Sequence, residues 1–550
     1  MLQWLQHYRR AMLPGDISAG IVVAMMMIPQ GMAYALVAGL PPVAGIYASI
    51  VPPLLYALVG TSSTQSVGPM AIISLMTASA LAPLAAPGSA LAGVLAAQLA
   101  LLAGAVLLAC GLLRIGFLAN FFSRPVLNGF TIGSALLIAW GQLRPLLGAQ
   151  PPGWHGPSAA LGLGALALLV WARRYGAATL RRLGLPPGAA DIGAKLAPML
   201  VVLGAIFLVA WLGLDARGVA TTGAVPAGLP GLNLATSSAH WRALLQPALL
   251  IGFMVFLISM SGAQALALKR GEKLGSNREL VGLGLANLGS ALSGGFPVTG
   301  SISRSAVNYA AGANSQLASV IAALLLGLAL VAPTGWLALL PLPVLAATII
   351  VAVLGMLDLS LLRTAWRYDR ADAAALLATA AGVLVLGVEA GVVVGVALSM
   401  GALIWRASRP HIAVLGRIAG SEHFRNVERY STETAPGLLM LRVDAGLFFG
   451  NVEAVNVRIE DELAAHPGAR HLVLVLSAVN AIDTSALFGL AELNASLGQR
   501  GVLLHLAEVK GPVMDRLEHS TLLGELKGQL FLSAATAWDA LAATGTSERR

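Results

Sequence analysis

The chain has 550 residues, of which 57% are hydrophobic and 11% charged, with a mean hydropathy of +0.80. That excludes a soluble protein, in which roughly half the residues are apolar, and makes the chain an integral membrane protein. A net charge of +9 is what basic cytoplasmic loops impose on a helical membrane protein, so it does not point to nucleic acid. The single cysteine, Cys110, rules out an internal disulfide and a cysteine-based metal cluster.

Residues 1–13 are expected to form a short interfacial segment. Arg9 and Arg10 precede apolar residues as in a signal peptide, but no small-residue cleavage site closes the run. Apolar segments punctuated by Pro, Gly and Arg then predict a transmembrane domain over 14–408. About fourteen spans are expected: 16–36, 43–60, 66–84, 90–113, 125–148, 158–172, 194–214, 244–268, 279–295, 301–312, 316–335, 342–357, 372–388 and 389–406. With a cytoplasmic N-terminus this count puts eighteen Lys and Arg on inside loops and only Arg144, Arg217 and Arg242 outside. A wrong count would scramble that positive-inside bias.

Pro297-Val298-Thr299-Gly300-Ser301-Ile302-Ser303-Arg304 stands out among these segments. Helix breakers and a cation at membrane depth are costly, and irregular backbone is tolerated there only when buried in protein or lining a watery cavity. A half-helix opening near Ser301 would aim unbonded N–H groups and a positive dipole end into the gap, with Arg304 one turn inside. The chemistry predicts an anion there. Ser66-Val67-Gly68-Pro69 opens the third span as Pro297–Ser301 opens the tenth, so the two breaks match in two seven-span halves, 14–214 and 243–408. Seven is odd, so the halves are inverted, and breaks at matching places of inverted repeats mark a transporter's midplane site.

Several separated stretches, Pro29-Gln30-Gly31-Met32-Ala33-Tyr34, Gly39-Leu40-Pro41-Pro42-Val43-Ala44-Gly45, Ser66–Pro69 and Pro297–Asn308, closely resemble the SulP family of sulfate-permease-type anion transporters, to which prestin is related. The resemblance implies a seven-plus-seven inverted repeat like that of uracil permeases, with core and gate domains, a C-terminal STAS domain and no enzymatic activity. It also implies a small anion as substrate, in the class of sulfate, bicarbonate, chloride, oxalate or dicarboxylates. Carried over by position, it puts Gln30 and Tyr34 beside the anion. Ser66, Val67, Gly68 and Met70 would give backbone amides and an apolar wall, and Gly300, Ser301, Ser303 and Arg304 would give amide, hydroxyl and positive field.

Many relatives carry an acid in the eighth span where this chain has Ile258, followed by Ser259 and Ser261 as secondary candidates that equally suit helix packing. No carboxylate is expected deep in the spans, with Asp16 at the start of the first and Glu389 at the last junction. A buried acid is the usual partner of a carried proton or sodium, so exchange or uncoupled passage is favoured over cation-coupled symport. Arg304 could instead be a structural arginine, Gln30 a helix-bridging amide and Tyr34 plain packing, although Pro29 nearby suggests a helix broken at the cavity.

Beyond Pro410 the composition turns polar. A linker over 409–425 leads to alternating strands and helices over 426–543 and a tail, 544–550. Ala481-Ile482-Asp483-Thr484-Ser485 resembles the STAS signature, in which the position of Thr484 can be phosphorylated; capping of the next helix by Asp483 is the simpler role. The reading is an anion transporter working by elevator-like alternating access. A homodimer in the bacterial inner membrane is expected, with cytoplasmic termini, a lipid bilayer as surroundings, no metal or cofactor, and cytosolic partners for the STAS domain. An anion channel and a membrane-tethered STAS signalling protein are the alternatives.

Overall fold

The computed structural model describes residues 3–6, 8–117, 123–150, 153–233, 235, 237–331 and 334–542; the expected tail, 544–550, lies outside them. The chain forms two compact units, Met1–Ser399 and Met400–Arg550.

The first unit is helical. Its elements are α1 (Leu13–Val37), α2 (Pro42–Tyr47), α3 (Val51–Val59), strand β1 (Val67–Gly68), α4 (Ala71–Leu81), α5 (Ala90–Leu112), α6 (Arg124–Gly141), α7 (Gly156–Trp171), α8 (Pro187–Lys195) and α9 (Ala197–Leu212). The second half has α10 (Trp241–Arg270), α11 (Ser276–Leu292), strand β2 (Thr299–Gly300), α12 (Ile302–Ala310), α13 (Leu317–Val331), α14 (Leu342–Leu354), α15 (Ser360–Tyr368), α16 (Arg370–Leu386) and α17 (Val388–Ser408). Each expected apolar segment holds a helix. Among the described residues, however, seven helices are long and apolar enough to cross a membrane, or eight if α8 and α9, bent by 52°, count together. The count of fourteen does not follow from helix length: α4, with 11 residues, is about 17 Å long, roughly half of a hydrocarbon core of about 30 Å.

The elements begin and end where side chains prescribe. Ser89 and Ser123 cap α5 and α6 by accepting the amides of Ala92 and Val126, and Gly271, at φ 68°, ends α10 in the left-handed region. One expectation fails here: α1 is not broken at Pro29 but runs through it. Proline removes one helical bond, and the carbonyl it frees, that of Met25, belongs to a helix bordering a cavity, where the loss is tolerated.

Two large apolar clusters form most of this unit's core. One packs α3, α4, α5, α10 and α11 through Tyr56, Ile73, Leu95, Leu99, Met254 and Leu283. The other packs α6, α7, α9 and α14 through Ile138, Leu169, Val202, Leu345 and Ile349. Small residues set the approach of helices within them. A Cβ at Gly45 would collide with the Gly31 carbonyl, so α1 and α2 touch backbone to backbone beside Gln30. Gly104 and Gly284 do the same for α5 and α11.

The second unit is an α/β domain. Its elements after α17 are β3 (Ile412–Arg417), β4 (Phe424–Asn426), β5 (Leu438–Val443), α18 (Val452–Ala465), β6 (His471–Val475), α19 (Thr484–Gln499), β7 (Leu503–Ala507), α20 (Gly511–Glu518), β8 (Leu530–Phe531) and α21 (Ala534–Ala542). The sheet order is β8-β7-β6-β5-β3-β4, with β5 to β8 parallel. β3 and most of β4 fall in the stretch expected to be a linker: Ile412, Ala413 and Val414 pair antiparallel with Val443, Arg442 and Leu441, so the segment is tied into the domain, with β4 at the sheet edge.

Candidate functional site

The two interrupted segments meet. β1 and β2 pair antiparallel, Val67 opposite Gly300 and Gly68 opposite Thr299, and the Ser301 amide adds a bond of 3.0 Å to the Ser66 carbonyl. α4 starts at Ala71 and α12 at Ile302, so the positive ends of two helices leave this ladder. Ser301 caps α12, its Oγ accepting the Arg304 amide at 3.4 Å.

Side chains replace the helical bonds the breaks remove. The Asn287 amide group accepts from the Val298 N–H at 2.9 Å and donates to the Val298 carbonyl at 3.0 Å. Ser259 Oγ accepts the Gly300 amide at 2.8 Å and sits 2.8 Å from Thr299 Oγ1, which donates to the Val255 carbonyl. Ser290 Oγ donates to the Phe296 carbonyl, and Ser305 Oγ accepts the Ser66 amide. Irregular backbone at this depth is thus satisfied internally. Asn287 and Ser290 were not singled out from sequence; a lone Asn inside an apolar helix was the available signal.

In front of the ladder lies a cavity of about 1640 Å³ lined by both sets of helices. Of the expected site residues, Gln30, Tyr34, Met70, Ser301 and Ser303 line it, as do Ile258 and Ser261. Ser66, Val67, Gly68, Gly300, Ser259 and Arg304 do not; they form the layer behind. Arg304 is 1% exposed. Its Nη1 donates to the Pro69 carbonyl at 2.7 Å, while Nε and Nη2 have no partner in the structure. Gly68 admits it: a Cβ there would stand 3.3 Å from Nη2. The guanidinium therefore braces the β1 turn and presents charge from behind rather than at the surface.

Two acids are buried, both at the start of a helix rather than midway along one. Asp16 and Glu279 are fully buried. Asp16 accepts from the Asn314 and Ser315 amides and the Ser315 hydroxyl, and Glu279 from the Tyr56 and Thr61 hydroxyls and the Thr61 amide, at 2.6–2.7 Å. Both stand in the first turn of a helix, where an anion is favoured, and neither lines the cavity.

The cavity rim carries Arg124, Arg173 and Lys195 together with Asp191, Glu272 and Asp358. Asp191 is held by Arg181 at 2.8 Å, Glu272 stands 3.5 Å from Arg270, and Asp358 accepts from Ser360. Asp191 and Glu272 thus have cationic partners, whereas Asp358, bonded to a neutral hydroxyl, keeps its charge beside Arg124, Arg173 and Lys195. In the second unit Asp483 caps α19, its Oδ1 accepting the Ala486 amide and its Oδ2 the Phe449 amide, both at 2.9 Å, and Thr484 is exposed. Among the described residues no group of three or more His, Cys, Asp or Glu could hold a metal.

The chain is similar to known proteins over nearly its whole length. It is 37% identical over 552 residues to a probable sulfate transporter of Mycobacterium tuberculosis, covering 97% of this chain and 96% of that protein. Identity to sulfate transporter 4.1, chloroplastic, of Arabidopsis thaliana is 33%, covering 96% and 80%. Among solved structures, murine solute carrier 26 family member A9 in the inward-facing state matches with a TM-score of 0.87 at 22% identity, covering 98% of this chain and 93% of that one. The transmembrane domain of a cyanobacterial bicarbonate transporter matches with 0.61 at 21% identity, covering 70% and 98%. These relatives are transporters, not enzymes. Residues 13–379 match the sulfate permease family and residues 429–537 the STAS domain, and the chain therefore belongs to the sulfate permease family of multi-pass membrane anion transporters.

Proposed function

We propose that the protein carries a small anion, sulfate first, across the bacterial inner membrane by elevator-like alternating access, by exchange or uncoupled passage. The observation that carries this reading is the pair of broken helices stitched at β1–β2, with Met70, Ser301 and Ser303 at the floor of an open cavity. Ser301 and Ser303 hydroxyls and the first-turn amides of α4 and α12 supply donors, Gln30 and Tyr34 face them, and Arg304 supplies a positive field from behind. Amide and hydroxyl donors of this kind bind a tetrahedral oxyanion weakly enough for release. The sulfate assignment is supported by the names of the relatives at 33–37% identity; bicarbonate, chloride and dicarboxylates are the competing cargoes.

Fourteen segments in two inverted halves, a homodimer, cytoplasmic termini and a regulatory role for the STAS domain complete the reading. The antiparallel run of β1 and β2 supports the inversion, and the arginine-rich cavity mouth supports an inward-open state. Ile258 lines the cavity where relatives have an acid, and the two buried acids are already saturated with hydrogen bonds, which argues against cation coupling.

The test is radiolabelled sulfate uptake into proteoliposomes with a panel of competing anions. Saturable uptake, trans-stimulated by internal sulfate and indifferent to imposed proton or sodium gradients, is expected. Accumulation driven by either gradient overturns the uncoupled reading, and conductance at channel rates overturns the carrier.

A further inference from the structure

Between α14 and α16 lies α15, whose nine residues extend about 14 Å, too short to cross a hydrocarbon core of about 30 Å. It is amphipathic. Ala365 is buried, and Leu362 packs with Leu357 against Ile132, Leu376 and Ala380. Arg363, Trp366, Arg367 and Tyr368 are exposed. A cleft of about 360 Å³ is lined by Leu359, Leu362, Arg363, Trp366, Arg367 and Leu377.

The lining is divided in character. Three leucines and an indole give an apolar trough, with Leu359 61% and Leu377 43% exposed. Arg363 and Arg367, four residues apart, fall on one helix face, and neither pairs with a carboxylate among the described residues. The level in the membrane is marked independently. Arg173 donates to the Val351 carbonyl at the end of α14 at 2.9 Å, and Trp171 and Tyr175 flank it, exposed. Such Trp, Tyr and Arg bands sit at the membrane–water boundary.

Water does not suit the leucines, and acyl chains alone do not suit two unpaired guanidiniums. An anionic phospholipid satisfies both. We propose that this cleft binds one anionic phospholipid, its phosphate on Arg363 and Arg367 and an acyl chain along Leu359, Leu362 and Leu377. Guanidinium matches phosphate geometry with paired donors. The inference rests on the membrane placement of the chain and not on the anion site. It bears on transport because Asp358, just before the helix, and Leu361, in its first turn, line the large cavity, and the Asp358 carbonyl is held by Asn128 of α6 at 2.8 Å.

The full-length protein in phosphatidylcholine nanodiscs, with equal mole fractions of dibrominated phosphatidylglycerol or dibrominated phosphatidylcholine, tests this. The Trp366 contribution to fluorescence is the difference between the wild type and Trp366→Phe. Phosphatidylglycerol is expected to quench it about fivefold or more effectively, the gain given by one arginine at an anionic surface. Arg363→Gln/Arg367→Gln, checked for folding by size exclusion, is expected to equalise the two lipids. If that pair misfolds, Arg367→Gln alone is expected to lower the preference. Equal quenching in the wild type, a preference that survives the arginine variants, or a Trp366 reached by neither lipid because a second copy covers it would each overturn the proposal.

Discussion

Arg304 sits where neither bland nor sharp expectation fully put it: it bonds a backbone carbonyl, yet two of its donors stay unpaired behind the strand pair. If its field holds the anion, Arg304→Gln should lower sulfate affinity roughly 10–100-fold, about 1.4–3 kcal/mol, with unchanged elution on size exclusion. A purely structural role would instead lower the melting temperature and leave affinity intact. Ser259 makes a different prediction. Its loss orphans the Gly300 amide, so Ser259→Ala should cost about 1–3 kcal/mol of stability, read as a lower melting temperature relieved by excess sulfate. In the STAS domain, His505 is 2% exposed, accepts the Gln529 amide on Nδ1 at 3.0 Å and contacts His471. Burial, then His471, depresses its pKa to about 4. The folded state therefore resists a proton that the unfolded chain takes up near pH 6.5, so stability is fully present above that pH and falls by roughly 3 kcal/mol down to pH 4. Hydrogen exchange over β7 in the full chain should speed up across that window, and His505→Asn should flatten the dependence.

At the scale of elements, contact between α1 and α2 depends on having no side chain at Gly45 and Gly31. Gly45→Val should force the helices apart, cost more than about 3 kcal/mol and abolish sulfate binding together with thermal stability; retained binding would show that Gln30 does not depend on this packing. The elements were largely legible because apolar runs, proline and glycine punctuation and capping serines act locally. The breaks at Ser66–Pro69 and Pro297–Ser301 were legible for the same reason: polar and helix-breaking residues at that depth need an explanation. Asp16 and Glu279 were not. Each sits in the first turn of a helix, a place that reads as surface, and each is buried by donors far away in sequence, Asn314 being 298 residues from Asp16 and Thr61 218 from Glu279. Strand β3 was missed because its pairing with β5 is likewise a tertiary event.

At the scale of the whole molecule, the charges that matter for cargo are those lining the cavity. Asp191 and Glu272 have cationic partners while, among the described residues, Arg124 and Lys195 line the cavity without one, an arrangement that concentrates anions by field rather than by contact. Arg124→Gln/Lys195→Gln should slow sulfate uptake several-fold at low ionic strength, and the difference should vanish near 1 M salt, where the Debye length is about 3 Å. A deficit independent of salt would mean these residues act by contact. What the sequence could not carry was the division of labour between the cavity-lining residues and the layer behind them, because both carry the same Ser, Gly and Arg signature and differ only in which neighbours cover them.

The strand pair also sets a schedule for biogenesis. Pro69 leaves the ribosome long before Arg304, 235 residues further on, an interval of roughly 10–50 s at ordinary elongation rates. Throughout it the newly inserted first half carries a short stretch of extended backbone whose eventual partners have not been made. That half is therefore an open client of the insertion machinery, and the cargo seat closes only when the second half arrives.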